Sequence, residues 1–175
     1  MIFKKLFGKK TKKQQEQPEP KVFVIDTNML LNGKADFFAR ISANRQDISI
    51  RIPWAVNDEL SRFRRESFSK SYGHTSPSKH DVRNTWSTYS QKIEDCEWRL
   101  VGSRGKEFRE LFQQNGFILG YNDVRILCAV GTLMKKFKEV FLVSRDWKLC
   151  EVAKELGIQT IRSLKEFSEI AEAEK

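Results

Sequence analysis

The stretch "KVFVIDTNML" (residues 21–30) sets the frame for the rest of the chain. An unbroken apolar run, Val22, Phe23, Val24 and Ile25, stops abruptly at Asp26-Thr27-Asn28, after which the chain turns apolar again. Four apolar residues without alternation are what a strand covered on both faces requires, and strands of that kind belong to parallel sheets. Asp26 then stands at the strand's carboxyl end. In open α/β sheets that edge is where ligands bind, and a carboxylate there can serve a helix N-terminus or a cation.

Working outward, comparable apolar runs occupy residues 48–52, 140–143 and 158–161, with a weaker strand candidate at 98–101. Helical periodicity lies between them. Residues 123–137 place Val124, Leu127, Cys128, Val130 and Leu133 on one side, and a second pattern covers 148–156. Strands alternating with helices predict an α/β fold with a parallel sheet and helices on both faces. In "SLKE", Ser163 and Glu166 have the spacing of a capping box, so a last helix opens there and closes the fold. Residues 66–90, "ESFSKSYGHTSPSKHDVRNTWSTYS", are rich in Ser, Lys and His and read as a loop. There are no internal repeats.

The chain has 175 residues, 39% hydrophobic and 31% charged, enough for one domain with a proper core and with no run long enough to cross a bilayer. Residues 1–20 carry six lysines against two glutamates, a composition that cannot bury enough apolar surface to order itself, so the expected organisation is a disordered basic tail at 1–20 and a folded domain at 21–175. Within the tail, Ile2, Phe3, Leu6 and Phe7 fall on one helical face with Lys4, Lys5, Lys9 and Lys10 opposite. That suits weak contact with an anionic membrane or with RNA phosphate, against the plainer role of a solubilising tail. A secretory h-region is missing, which predicts a cytoplasmic protein, peripheral at a membrane at most. The formal charge of +9 favours polyanionic partners. Three cysteines, an odd number without metal-type spacing, indicate neither a zinc site nor a disulfide frame; Cys128 and Cys150 read as buried free thiols.

The chemistry lies in four acids. Asp26 follows the first strand. Glu59 sits in "IPWAVNDEL", where a strand ends at Pro53 and Asn57 or Asp58 could cap a helix; Asp123 begins the helix of "NDVRILCAV"; Asp146 follows the strand of "EVFLV". Any one of them is more often an N-cap than a catalyst. In a doubly wound sheet, however, all four gather at the carboxyl edge near the topological switch point. Clustered carboxylates raise one another's pKa values, and a cluster ionised at neutral pH implies a hard divalent cation, Mg²⁺ or Mn²⁺ for oxygen-only ligands.

The motifs "VFVIDTNMLL", "IPWAVNDEL", "NDVRILCAV" and "VFLVSRDWKLCEVAKELGI" resemble, in order and spacing, the acidic motifs of PIN-domain nucleases over residues 21–162, most closely the PIN domains found ahead of PhoH-type ATPases. The resemblance implies a three-layer α/β fold around a mostly parallel five-stranded sheet. It implies a metal-dependent endoribonuclease in which Asp26, Glu59, Asp123 and Asp146 bind the metal. Asn28 and Ser144 match supporting positions, Asn28 orienting Asp26 and Ser144 offering a hydroxyl to a carboxylate, water or phosphate. Other readings are a non-catalytic RNA-binding scaffold that recruits partner proteins, and the toxin of a toxin–antitoxin pair, with an antitoxin or a second copy as partner.

Acids cannot hold RNA themselves. Between residues 60 and 110 basic residues outnumber acids eleven to seven, and Arg62, Arg64 and Arg65, one turn beyond Glu59, are the sharper candidates for contact with single-stranded RNA, together with Arg145 beside Asp146. An ordinary solvated helix surface is the competing explanation. Trp54 reads as core. Trp147 could stack on a base, but large aromatics are mostly placed by burial, so a packing role is expected. His74 and His80 lie in the loop with no fixed partner.

Overall fold

The computed structural model describes residues 19–31, 34–65 and 119–173, the side chains of Arg64 and Arg65 excepted. The tail at 1–18, the Ser/Lys/His-rich segment and the strand candidate at 98–101 lie outside them.

Four parallel strands form one sheet in the order β2-β1-β3-β4. They are β1 (Lys21–Ile25), β2 (Ile48–Arg51), β3 (Val140–Val143) and β4 (Gln159–Ile161). The resemblance implied five strands; the described residues contain four, because the fifth candidate falls outside them. β1 and β3 are central and buried along their whole length, which is why they carry unbroken apolar runs, whereas β2 and β4 are the outer strands among the described residues and partly exposed.

The helices are α1 (Thr27–Leu30), α2 (Ala35–Asn44), α3 (Trp54–Arg65), α4 (Tyr121–Leu133), α5 (Trp147–Glu155) and α6 (Leu164–Glu172). At the end of α5, Gly157 adopts φ +74°, and the amide of Ile158 donates to the Ala153 carbonyl at 2.9 Å. A left-handed glycine of this kind ends a helix and turns the chain into the next strand. The last helix does open on its cap: Ser163 Oγ accepts from the Glu166 amide at 3.1 Å, and the Glu166 carboxylate reaches back to the amide of Arg162 at 2.8 Å. It then sets Phe167 among Phe23, Phe37 and Phe38, with ring centroids 4.6–5.8 Å apart, closing the core on that side. Cys128 and Cys150 are free and buried.

The sequence order reverses between β1 and β3: from β1 the sheet grows to β2 on one side and to β3 on the other. This is the switch point, and its carboxyl edge carries Asp26 and Ser144, each one residue beyond its strand. No helix among the described residues is long and apolar enough to cross a membrane.

Candidate metal and phosphodiester site

Asp26 is buried and caps α1, its Oδ1 accepting from the Thr27 amide at 2.6 Å. Its Oδ2 accepts from Asn28 Nδ2 at 2.7 Å and from Ser144 Oγ at 2.6 Å. Ser144 is fully buried, and its Oγ accepts in turn from the Asp146 amide at 3.0 Å, while Asn28 Oδ1 accepts from the Arg145 amide at 3.0 Å. Asn28 and Ser144 therefore hold Asp26 and fasten the turn after β3 to the turn after β1.

Glu59 reaches this edge from α3. Its Oε2 accepts from Thr27 Oγ1 at 2.7 Å, so the residue between Asp26 and Asn28 also serves the site. The helix starts earlier than the sequence suggested. Pro53 precedes the first residue, and its carbonyl accepts from the amides of Val56 and Asn57 at 3.0 and 3.1 Å, closing the first turn at once. Asn57 and Asp58 thus lie inside α3 rather than at its cap; Asp58 pairs with Arg125 of α4 at 2.7 Å. Asp123 comes from α4, which precedes β3 and runs back against it, so that its N-terminus lies at the carboxyl edge. Asp123 Oδ2 accepts from the Gly120 amide at 2.9 Å, the returning half of a capping box. Asp146 caps α5, its Oδ1 accepting from the amides of Lys148 and Leu149 at 2.8 and 3.1 Å.

The carboxylates feel one another. Burial pushes the Asp26 carboxyl up to about 7, against the hydrogen bonds from Ser144 and Thr27, with the charges of Glu59 and Asp123 adding to the rise. Asp123 is also raised, by burial first and then by Asp146 and Glu59, against its bond from Gly120. Glu59 Oε1, Asp123 Oδ1 and Asp146 Oδ2 take no hydrogen bond among the described residues, because each acid spends its other oxygen on the scaffold. Those residues also contain no group of three or more acidic, His or Cys side chains arranged to hold an ion directly. An all-oxygen donor set of this openness fits an ion that keeps several waters and takes one or two carboxylates, which is the habit of Mg²⁺.

Of the basic candidates, Arg62 is exposed with its guanidinium 5.6 Å from the Phe63 ring centroid, Arg145 is exposed beside Asp146, and the side chains of Arg64 and Arg65 lie outside the described residues. Neither Trp54 nor Trp147 is core: Trp54 is 37% and Trp147 53% exposed. Periodicity held the signal for Trp147, which shares a helix face with Glu151 and Lys154 while Leu149, Cys150, Val152 and Ala153 form the buried side of α5.

The PIN domain family matches residues 23–163, the span that contains all four acids and the whole switch point. The chain belongs to the PIN domain family. Among solved structures, this PIN domain resembles a chain in the crystal structure of VapBC-5, a member of the VapBC family of toxin–antitoxin systems from Mycobacterium tuberculosis. The TM-score is 0.53 at 12% identity, covering 82% of this chain and 100% of that one. At that identity the likeness is one of fold. Comparison with curated proteins finds no match.

Proposed function

We propose that this PIN domain is a Mg²⁺- or Mn²⁺-dependent endoribonuclease, with Asp26, Glu59, Asp123 and Asp146 as its metal-binding acids. The observation that carries the reading is the buried carboxyl of Asp26, held from three sides at the switch point while the charges of Glu59 and Asp123 press on it. A structural N-cap needs one accepted hydrogen bond and no second acid nearby. Investing buried polar groups in a repulsive cluster is the pattern of a functional site. The particular likeness to PIN domains found ahead of PhoH-type ATPases rests on the sequence motifs alone.

In this reading Asp26, Glu59, Asp123 and Asp146 would together hold the divalent ion, directly or through its waters. When bound, the ion supplies a water of lowered pKa and neutralises charge developing on the phosphate. Asn28 and Ser144 keep Asp26 Oδ2 aimed, and Thr27 keeps Glu59 turned inward. Arg62 and Arg145 draw the strand toward an edge that is otherwise acidic.

The test is cleavage of a labelled single-stranded RNA panel with Mg²⁺, with Mn²⁺ and with chelator, beside Asp146→Asn. Cleavage that requires metal and disappears in the variant is expected. An Asp146→Asn protein that cleaves as fast as the parent overturns the assignment, and RNA binding without cleavage in either ion favours the scaffold reading. The toxin reading is a biological variant of the same chemistry, supported by the fold likeness to VapBC-5. Growth arrest on expression, relieved by Asp146→Asn, distinguishes it from RNA processing.

A further inference from the structure

Residues Arg145, Asp146, Trp147 and Lys148 are four consecutive exposed side chains at the site's edge. Their backbone is nevertheless fixed. The amides of Arg145 and Asp146 are tied to Asn28 and Ser144, and those of Lys148 and Leu149 to Asp146 itself. A large indole, 53% exposed, thus projects from a rigid segment immediately beside a proposed metal-binding acid, with a cation on either side. Burial does not account for its place, since the apolar face of α5 points elsewhere. Nor does the Asp146 cap, which needs only the carboxylate and the backbone.

We propose that Trp147 is a stacking platform for an unpaired base of the strand entering the acidic site, with Arg145 and Lys148 taking the phosphates that flank that base. The proposal rests on the reading that this edge receives a nucleic-acid strand. Every base has a π-face and every strand has phosphates at regular spacing, so an aromatic bracketed by cations fits a single strand without demanding a sequence. A duplex, whose bases are already stacked, offers nothing to the indole. The net charge of +9 supplies the long-range attraction that brings such a strand to the surface. A fixed platform also sets the register of the strand relative to the acids, which flexible side chains would leave to chance.

Binding is measured by fluorescence anisotropy in chelator, so that no strand is cut. The probes are a labelled ten-nucleotide RNA and a strand of the same length made of abasic units with the same phosphates. The parent should bind the base-containing strand about tenfold more tightly, within the range set by stacking of one base. Trp147→Ala should erase that ratio while leaving affinity for the abasic strand unchanged, Trp147→Phe should keep most of it, and Arg145→Gln should weaken both strands alike. An unchanged ratio in Trp147→Ala overturns the proposal, and so does an equal loss on both strands, which marks a structural residue. If Trp147→Ala alters neither affinity yet abolishes binding of a protein partner, the face is a protein-docking surface and the platform is again overturned. The nuclease reading fails separately: a parent with the expected ratio that cuts no RNA in metal keeps the platform and loses the chemistry.

Discussion

At Asp26 two requirements conflict, since the carboxylate is charged where the sheet is driest. Its pKa of about 7, against 3.8 in the unfolded chain, means that the folded protein binds a proton more tightly than the unfolded one. The contribution of Asp26 to stability in the absence of metal is therefore fully present below about pH 4, is lost as pH rises between 4 and 7, and levels off above, each tenfold difference in proton affinity being worth roughly 1.4 kcal/mol. Thermal melts in chelator should give a higher Tm at pH 5 than at pH 7.5, and added Mg²⁺ should narrow that gap by stabilising the ionised form. A Tm that rises with pH across this window would remove Asp26 from a crowded, desolvated cluster. Asp123→Asn tests the repulsion more cleanly than Asp26→Asn. An asparagine at 123 keeps the Gly120 hydrogen bond through its amide oxygen, whereas at 26 the amide nitrogen would face Asn28 Nδ2 and Ser144 Oγ, both donors to the native carboxylate. Metal-free Asp123→Asn should melt about 2–4 °C above the parent for each kcal/mol of repulsion relieved, and should lose roughly a hundredfold in cleavage rate. A lower Tm without metal would show that Asp123 is held as a cap and nothing more.

Helices α4 and α5 begin at the acidic edge, so partial positive charge from their first turns offsets some of the repulsion among the acids. Gly120 is the tight point of this arrangement, because a Cβ built there would sit 3.0 Å from Asp123 Oδ2. Its backbone φ of −63° suits any residue, so Gly120→Ala should fold with a Tm close to the parent's. The cost should fall on chemistry instead: the carboxylate must shift by a few tenths of an ångström, and cleavage should drop about tenfold, since small displacements in a site are expensive. A variant with full activity would show that Asp123 has slack. The elements themselves were largely legible. Central strands with unbroken apolar runs announced a parallel sheet, and Ser163 announced α6. The start of α3 was not, because Asn57 and Asp58 look like caps and only the Pro53 carbonyl, by closing the first turn, makes them interior. Trp54 and Trp147 were misread because size argues for burial when the helix face is ignored; both lie on exposed positions at the first residue of a helix. The four acids were legible as a group through topology, since strand ends and the starts of returning helices must share one edge. The part played by Thr27 was not, because its bond to Glu59 joins residues 32 apart that only the packing of α3 on this edge brings together.

On the scale of the molecule, the protein must bring a polyanion to a cluster of carboxylates, and its charge distribution decides whether that works. Four of the acids share one edge, while the excess of 32 Lys and Arg over 23 Asp and Glu comes mostly from residues 1–20 and 60–110, four charges from each. Attraction is then long-range and unspecific, and it is paid back in counterions: each phosphate neutralised on a single strand contributes about 0.7 to the slope of log affinity against log salt. Binding of single-stranded RNA should therefore weaken steeply between 50 and 200 mM salt. Arg62→Glu should lower affinity at low salt and reduce that slope by about 0.7–1, because Arg62 is exposed close behind Glu59 on α3. Removing residues 1–20 should also reduce the slope, by taking away six lysines, yet leave the rate of cutting bound RNA unchanged, since an arm that attracts does not position the scissile bond. The two changes separate along different kinetic axes. Arg62→Glu should raise KM with little effect on kcat if it only gathers substrate, and lower kcat as well if it sets the path of the strand past Glu59. Loss of cutting on removal of the arm alone, with the core variants active, would place the substrate path on the wrong face of the domain.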